Sequence, residues 1–148
     1  MAGQIQTAPP GASPLLQFMA TLSGSLEVPP RVTSGSGVAL LGFDPTLTRL
    51  NVLLLVSRLR RVTAGHIHLG RPGQNGPIVL FLFRPAMPVD IVAPTVLTNA
   101  SFPAANLIGP LAGMPLSALA QQMMAGNTYV NVHTVANPEG EIRGPIVT

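Results

Sequence analysis

Gly37-Val38-Ala39-Leu40-Leu41-Gly42-Phe43 and Arg49-Leu50-Asn51-Val52-Leu53-Leu54-Leu55-Val56-Ser57-Arg58-Leu59 flank the segment Asp44-Pro45-Thr46-Leu47-Thr48, and this stretch decides the fold class. Both flanking runs are apolar and strand-sized. Between them, Pro45 presets φ at a turn position and Asp44 can hydrogen-bond the backbone beyond it, so the connection reads as a hairpin turn. The two runs are therefore expected to pair antiparallel.

The same pattern extends outward in both directions. Sixteen prolines and 15 glycines cut the 148-residue chain into short segments, most of them with β-branched or alternating apolar residues. Strands are expected over residues 16–28, 37–43, 49–59, 64–69, 77–83, 91–100, 128–134 and 141–147. Only between Met114 and Gly126 does the period change. There Leu116, Leu119, Met123 and Met124 recur at spacings of three and four, Pro115 suits a first helical turn, and Gly126 suits a C-terminal cap. The expectation is an all-β fold, a Greek-key β-barrel or sandwich of about eight antiparallel strands with one short helix near residues 115–125. The length suits one domain over residues 15–148, preceded by a polar, Pro/Gly-rich arm at residues 1–14.

Composition narrows the function. Charged residues make up 9% of the chain and hydrophobic ones 47%, with a mean hydropathy of +0.44, against about 25% charged in an ordinary soluble domain. A surface so poor in charge suggests burial against neighbours, as in a homo-oligomer or surface assembly. No transmembrane segment is expected, because the best apolar run, residues 50–56, is about a third of the ~20 residues a spanning helix needs. Residues 1–14 lack the basic, apolar and cleavage regions of a signal peptide. The net charge of +3 rests on eight basic residues with no basic run and few aromatics, which gives nucleic-acid binding little support. The absence of cysteine excludes disulfides, thiolate metal sites, blue copper and cysteine nucleophiles.

All three histidines fall in two strand-like motifs, Ala64-Gly65-His66-Ile67-His68-Leu69-Gly70 and Tyr129-Val130-Asn131-Val132-His133-Thr134. Side chains alternate along a strand, so His66 and His68 share a face while Ile67 takes the other. His133 shares its face with Asn131 and Tyr129, and Val130 and Val132 turn to the core. If the two strands are near one another, three imidazoles converge, a donor set known for zinc and compatible with copper, which the Irving–Williams order favours. The alternative is that the histidines pack and hydrogen-bond at a sheet surface. Glu27 and Arg143 read either as a structural ion pair or backbone hydrogen-bonding anchor or, for Arg143, as a guide for an anion toward the metal. The turn-rich loop Gly70-Arg71-Pro72-Gly73-Gln74-Asn75-Gly76-Pro77 either lines the site or only connects strands. No nucleophile motif, Walker loop, dinucleotide fingerprint or paired acid set is visible, so no catalytic residue is assigned.

Three groups of residues resemble the CHRD domain family: Leu22-Ser23-Gly24-Ser25-Leu26-Glu27-Val28-Pro29-Pro30, then the first histidine motif with Asn75-Gly76-Pro77, then the second with Asn137-Pro138-Glu139-Gly140-Glu141-Ile142-Arg143-Gly144. The resemblance runs over nearly the whole chain. It implies an extracellular or cell-surface β domain, and supplies no reaction. His66, His68 and His133 are also similar to part of the copper site of Cu/Zn superoxide dismutase, a Greek-key barrel. This chain has no fourth histidine, no zinc-loop ligands and no cysteine pair, so dismutase activity is the lesser reading. Two functions follow as expectations. One is a non-catalytic domain at the cell or spore surface that binds copper or zinc through the three histidines, with Asn131, Tyr129, Glu27, Glu141 and Arg143 as supporting residues. The other is a structural protein of a surface layer, spore or filament that uses its apolar faces and N-terminal arm for subunit contacts.

Overall fold

The computed structural model describes residues 16–148, and the arm expected at residues 1–14 lies outside the described residues. The central hairpin forms where its turn chemistry dictates. Strands β1 (Leu16–Ser23), β2 (Ser36–Phe43) and β3 (Leu50–Ser57) make an antiparallel meander with Leu40 opposite both Met19 and Leu53. Asp44 closes the β2–β3 turn, accepting hydrogen bonds from the amides of Thr48 (2.7 Å) and Arg49 (2.9 Å) and from the hydroxyls of Thr46 and Thr48. These donors hold its carboxyl well below the usual carboxylate range. Alternation then selects the inner face: Phe18, Ala20, Leu22, Ala39, Leu41, Phe43, Val52, Leu54 and Val56 are all buried.

Six further strands complete the sheet: β4 (Leu59–Leu69), β5 (Ile78–Phe83), β6 (Val89–Ile91), β7 (Thr95–Phe102), β8 (Thr128–Thr134) and β9 (Ile142–Pro145). The order is β5-β4-β8-β9-β1-β2-β3-β7, with β6 paired to β4 and every pairing antiparallel. The two ends of this path meet where the Thr98 hydroxyl on β7 donates to the Leu82 carbonyl on β5 at 2.9 Å. The sheet is thus a nearly closed barrel, which resolves the choice between barrel and sandwich. Its interior is one apolar cluster that includes Leu50, Leu54, Ile67, Val130, Val132 and Ile142.

Several boundaries differ from expectation. The strand expected over residues 16–28 stops at Ser23, since Gly24–Leu26 is a 3-10 turn, and Glu27 follows that turn in a loop. There is no loop between the runs at 49–59 and 64–69; β3 and β4 are separated only by Arg58, whose φ of 59° turns a corner from one side of the barrel to the other. The run at 91–100 is divided into β6 and β7 around Pro94, which has no N–H to offer a sheet ladder. The described residues therefore contain nine strands.

Helix α1 (Leu116–Met124) lies where the period predicted it, with Pro115 as its N-cap and with Leu116, Leu119, Ala120 and Met123 in the core. Gly126, at φ 73°, ends it: the Gly126 and Asn127 amides donate back to the carbonyls of Met123 and Gln122, a Schellman closure. Met124 is exposed and lies off the buried stripe. Among the described residues no helix is long and apolar enough to cross a membrane.

Candidate metal centre

Pairing of β4 with β8 brings the two histidine motifs side by side. His66 stands opposite Asn131, His68 opposite Tyr129, and Ala64 opposite His133. Because Ile67, Val130 and Val132 fill the barrel interior, the histidines must project from its outer wall. They are nonetheless 6%, 7% and 8% exposed for His66, His68 and His133, because loops close over them. Ring centroids lie 4.7 Å apart for His66 and His133, 5.5 Å for His66 and His68, and 5.9 Å for His68 and His133. One ring nitrogen from each falls within 4.8 Å of the others, close enough for the three to hold one metal ion.

The loops set the proton positions. His68 Nδ1 is 2.8 Å from the Gly76 carbonyl and His133 Nδ1 is 2.9 Å from the Pro138 carbonyl. A carbonyl only accepts, so each Nδ1 donates and each Nε2 presents a lone pair to the cluster. His133 Nε2 lies 3.0 Å from His66 Nδ1 and 2.9 Å from Asn131 Oδ1. Buried Nε2 of His68 has no hydrogen-bond partner, and neither has Nε2 of His66, whose ring meets Phe81 edge to face. Burial pushes the imidazole of His66 down to about 3, aided by His133 and His68. It pushes His68 down to about 4 against the opposing bond to Gly76. His133 is lowered too, by burial first and by the Arg143 charge, against its bond to Pro138. The site keeps three neutral imidazoles, the form that can bind a cation.

The supporting residues play separate parts. Tyr129 stacks on His68 with centroids 4.8 Å apart and planes 6° apart, and its hydroxyl accepts from the Gly76 amide at 3.0 Å. Arg143 is an ion-pair partner: Nε donates to Glu27 Oε1 at 3.0 Å, while its other nitrogens donate to Gln74 O (2.9 Å) and Asn75 Oδ1 (2.6 Å). With all three nitrogens engaged, its observed contacts are those of a structural anchor. Burial raises the Glu27 carboxyl above its ordinary value, with Arg143 opposing. Glu141 stands apart from the histidines and ties Thr33, Thr134 and Asn137 together at 2.6, 2.7 and 3.0 Å.

Sequence reasoning missed the backbone contributors. Gly76 and Pro138 orient two imidazoles through carbonyls, which carry no side-chain signature. The turn dipeptide Asn75-Gly76 directly after the His-x-His strand was the available hint for one of them, and Asn75 also donates to the Val28 carbonyl at 3.0 Å. A cleft of about 310 Å³ opens over the centre between Val28, Asn75, Pro138 and Glu139, with His68 and His133 on its floor.

Comparison with known proteins agrees with the motifs that carry this site. No curated protein and no solved structure gives a significant match. A family model described as the CHRD domain matches residues 18–146, which contain all nine strands except the first two residues of β1. The chain belongs to the CHRD domain family.

Proposed function

We propose that this CHRD domain binds a transition-metal ion, copper or zinc, through His66, His68 and His133, as a non-catalytic module outside the cell or at the cell or spore surface. The observation that carries the reading is the surroundings of His133. A neutral imidazole has one N–H, yet Nδ1 faces the Pro138 carbonyl and Nε2 faces Asn131 Oδ1, each at 2.9 Å. With Nδ1 donating to Pro138, the Nε2 lone pair is directed at Asn131 Oδ1, an acceptor, with His66 Nδ1 beside it at 3.0 Å. A second proton would satisfy both, but burial and Arg143 oppose that charge. A cation at Nε2 removes the conflict, and His66 Nδ1 and the unpartnered His68 Nε2 offer it two more lone pairs. Imidazole donors suit both metals, and the Irving–Williams order favours copper. The buried carboxylates Glu27 and Glu141 are held in structural contacts, which supports binding over turnover.

Thermal unfolding with copper, with zinc and with chelator tests this reading. An ion at about 100 times its Kd should add roughly 2.7 kcal/mol of stability, and the addition should vanish in the triple variant with His66, His68 and His133 changed to Ala. Equal stability in all three conditions would count against it.

A second reading, assembly, has one observation in its favour. The outer face of β1, β2, β3 and β7 aligns Met19, Leu40 and Leu53 in one cross-strand row and Val38, Leu55 and Val96 in the next. Met19, Leu40 and Val96 are 41%, 47% and 50% exposed. Large particles by light scattering that persist in chelator would support a surface assembly, alone or together with metal binding.

A further inference from the structure

We infer that Asn131 is the fourth donor of this centre, through Oδ1, and that Glu27 is the positioning residue that aims it. The inference rests on the metal-binding reading above. Asn131 is only 1% exposed, and its Oδ1 stands 2.9 Å from the same His133 Nε2 that approaches His66 Nδ1 at 3.0 Å. A carboxamide here has two orientations, which present either oxygen or NH₂ to the histidines. Glu27 discriminates between them. Its carboxylate only accepts, and Oε2 shares with Asn131 Nδ2 the space above Gly140: a β-carbon there would lie 2.5 Å from the first and 2.7 Å from the second. Glu27 Oε2 makes no hydrogen bond, and Asn131 Nδ2 is the end of the amide that shares the space over Gly140 with it, so Oδ1 is left facing the imidazoles.

The orientation is held from behind. Glu27 is fixed by Arg143, and Arg143 by Gln74 and Asn75. Gly140 has φ of 121° and no side chain, so Glu27 Oε2 and Asn131 Nδ2 can both occupy the space above it. Turning the amide round would set its oxygen against a buried carboxylate, with no hydrogen between them, an arrangement that buried polar groups avoid. The consequence is chemical. Three histidines alone leave a fourth position for water, as catalytic zinc sites do, whereas three nitrogens and a carboxamide oxygen complete a four-donor set from the protein. Such a set retains an ion and leaves no open coordination position for a substrate.

The test is Cu(II) loading of the full chain, read by binding affinity, by electron paramagnetic resonance, and by deuterium modulation in D₂O, which detects solvent coordinated to the ion. The native protein should bind one Cu(II) without directly coordinated solvent. Asn131→Leu should bind it at least about tenfold more weakly, with a changed copper hyperfine splitting and a coordinated D₂O. Glu27→Gln, which lets the Asn131 amide turn round, should shift the hyperfine splitting toward that of Asn131→Leu; a merely structural Glu27 would alter thermal stability and leave the copper spectrum as it was. Native affinity, native spectrum and no coordinated D₂O in Asn131→Leu would overturn the assignment. Should that variant fail to fold by circular dichroism, Asn131→Asp decides. It should retain copper and shift the hyperfine splitting through its added charge, and an unchanged spectrum would overturn the assignment equally. A folded native chain that takes up neither copper nor zinc would overturn the metal-binding reading itself, and Asn131 with it.

Discussion

Arg143 on β9 donates to Glu27 at 3.0 Å across 116 residues of sequence, and the same guanidinium holds Gln74 and Asn75 in the loop above His68. One side chain therefore joins the loop after β1, the loop after β4 and strand β9 around the histidines. Both members of the ion pair are buried, so removing either leaves the other uncompensated. Arg143→Met should cost about 3–5 kcal/mol of stability, and Glu27→Leu a similar amount. The double variant should lose clearly less than their sum. A double-mutant cycle by urea denaturation checks this, and simple additivity would contradict it.

The histidines impose a pH dependence on the metal-free protein. In the folded state the ring of His66 is held down at about 3 and that of His68 at about 4, below the ordinary value of 6.5 that they regain when the chain unfolds. Below pH 6.5 the unfolded chain thus binds more protons. Stability is full above that pH and falls as the pH drops toward 4, by up to about 1.4 kcal/mol per pH unit for each histidine. Carboxylates of ordinary value add little between pH 6.5 and 5, and Glu27, raised by burial, acts in the opposite sense to the histidines. Urea midpoints measured across that window in chelator should decline, and should decline less steeply for His66→Gln. A flat profile would mean that the rings are not held neutral by the fold.

Gly76 is predicted to tolerate no side chain. A β-carbon there would collide with the backbone oxygen of Leu69. The carbonyl of Gly76 orients His68, and its amide holds the Tyr129 hydroxyl. Gly76→Ala should therefore displace the loop, destabilise the protein by about 1–3 kcal/mol through overpacking, and weaken metal affinity about tenfold or more by releasing His68. Isothermal titration beside thermal unfolding separates the two effects. Unchanged affinity in a folded Gly76→Ala protein would show that the loop does not position the ligand.

Arg58 turns the corner between β3 and β4 in the left-handed region, at φ 59°, where a residue with a β-carbon is strained by roughly 1–2 kcal/mol. Arg58→Gly should be neutral or stabilising by up to about 1 kcal/mol, net of the entropy a glycine adds to the unfolded chain. Thermal unfolding checks it, and a clear loss of stability would assign Arg58 a contact that outweighs its strain.

That corner marks the boundary of what could be read from sequence. Where backbone geometry needs a special residue, the sequence shows it: Asp44-Pro45 announces the β2–β3 hairpin and Gly126 the end of α1. At Arg58 an ordinary residue adopts the turn, held by the burial of Leu59 beside it, and no local signal separates the two strands. The histidine faces followed from alternation alone, because Ile67, Val130 and Val132 had to enter the core. Strand order did not, since pairing of β4 with β8 joins segments some sixty residues apart and depends on the whole barrel. Site chemistry supplied by backbone, at Gly76 and Pro138, was legible only through the fold.

Metal stoichiometry tests the central claim most directly: elemental analysis of the purified chain after exposure to copper, and separately to zinc, followed by desalting, beside the variant with His66, His68 and His133 all changed to Ala. One ion per native chain and none in the folded variant is the predicted result. A native protein that emerges free of both metals, or a variant that retains as much as the native chain, would contradict the account.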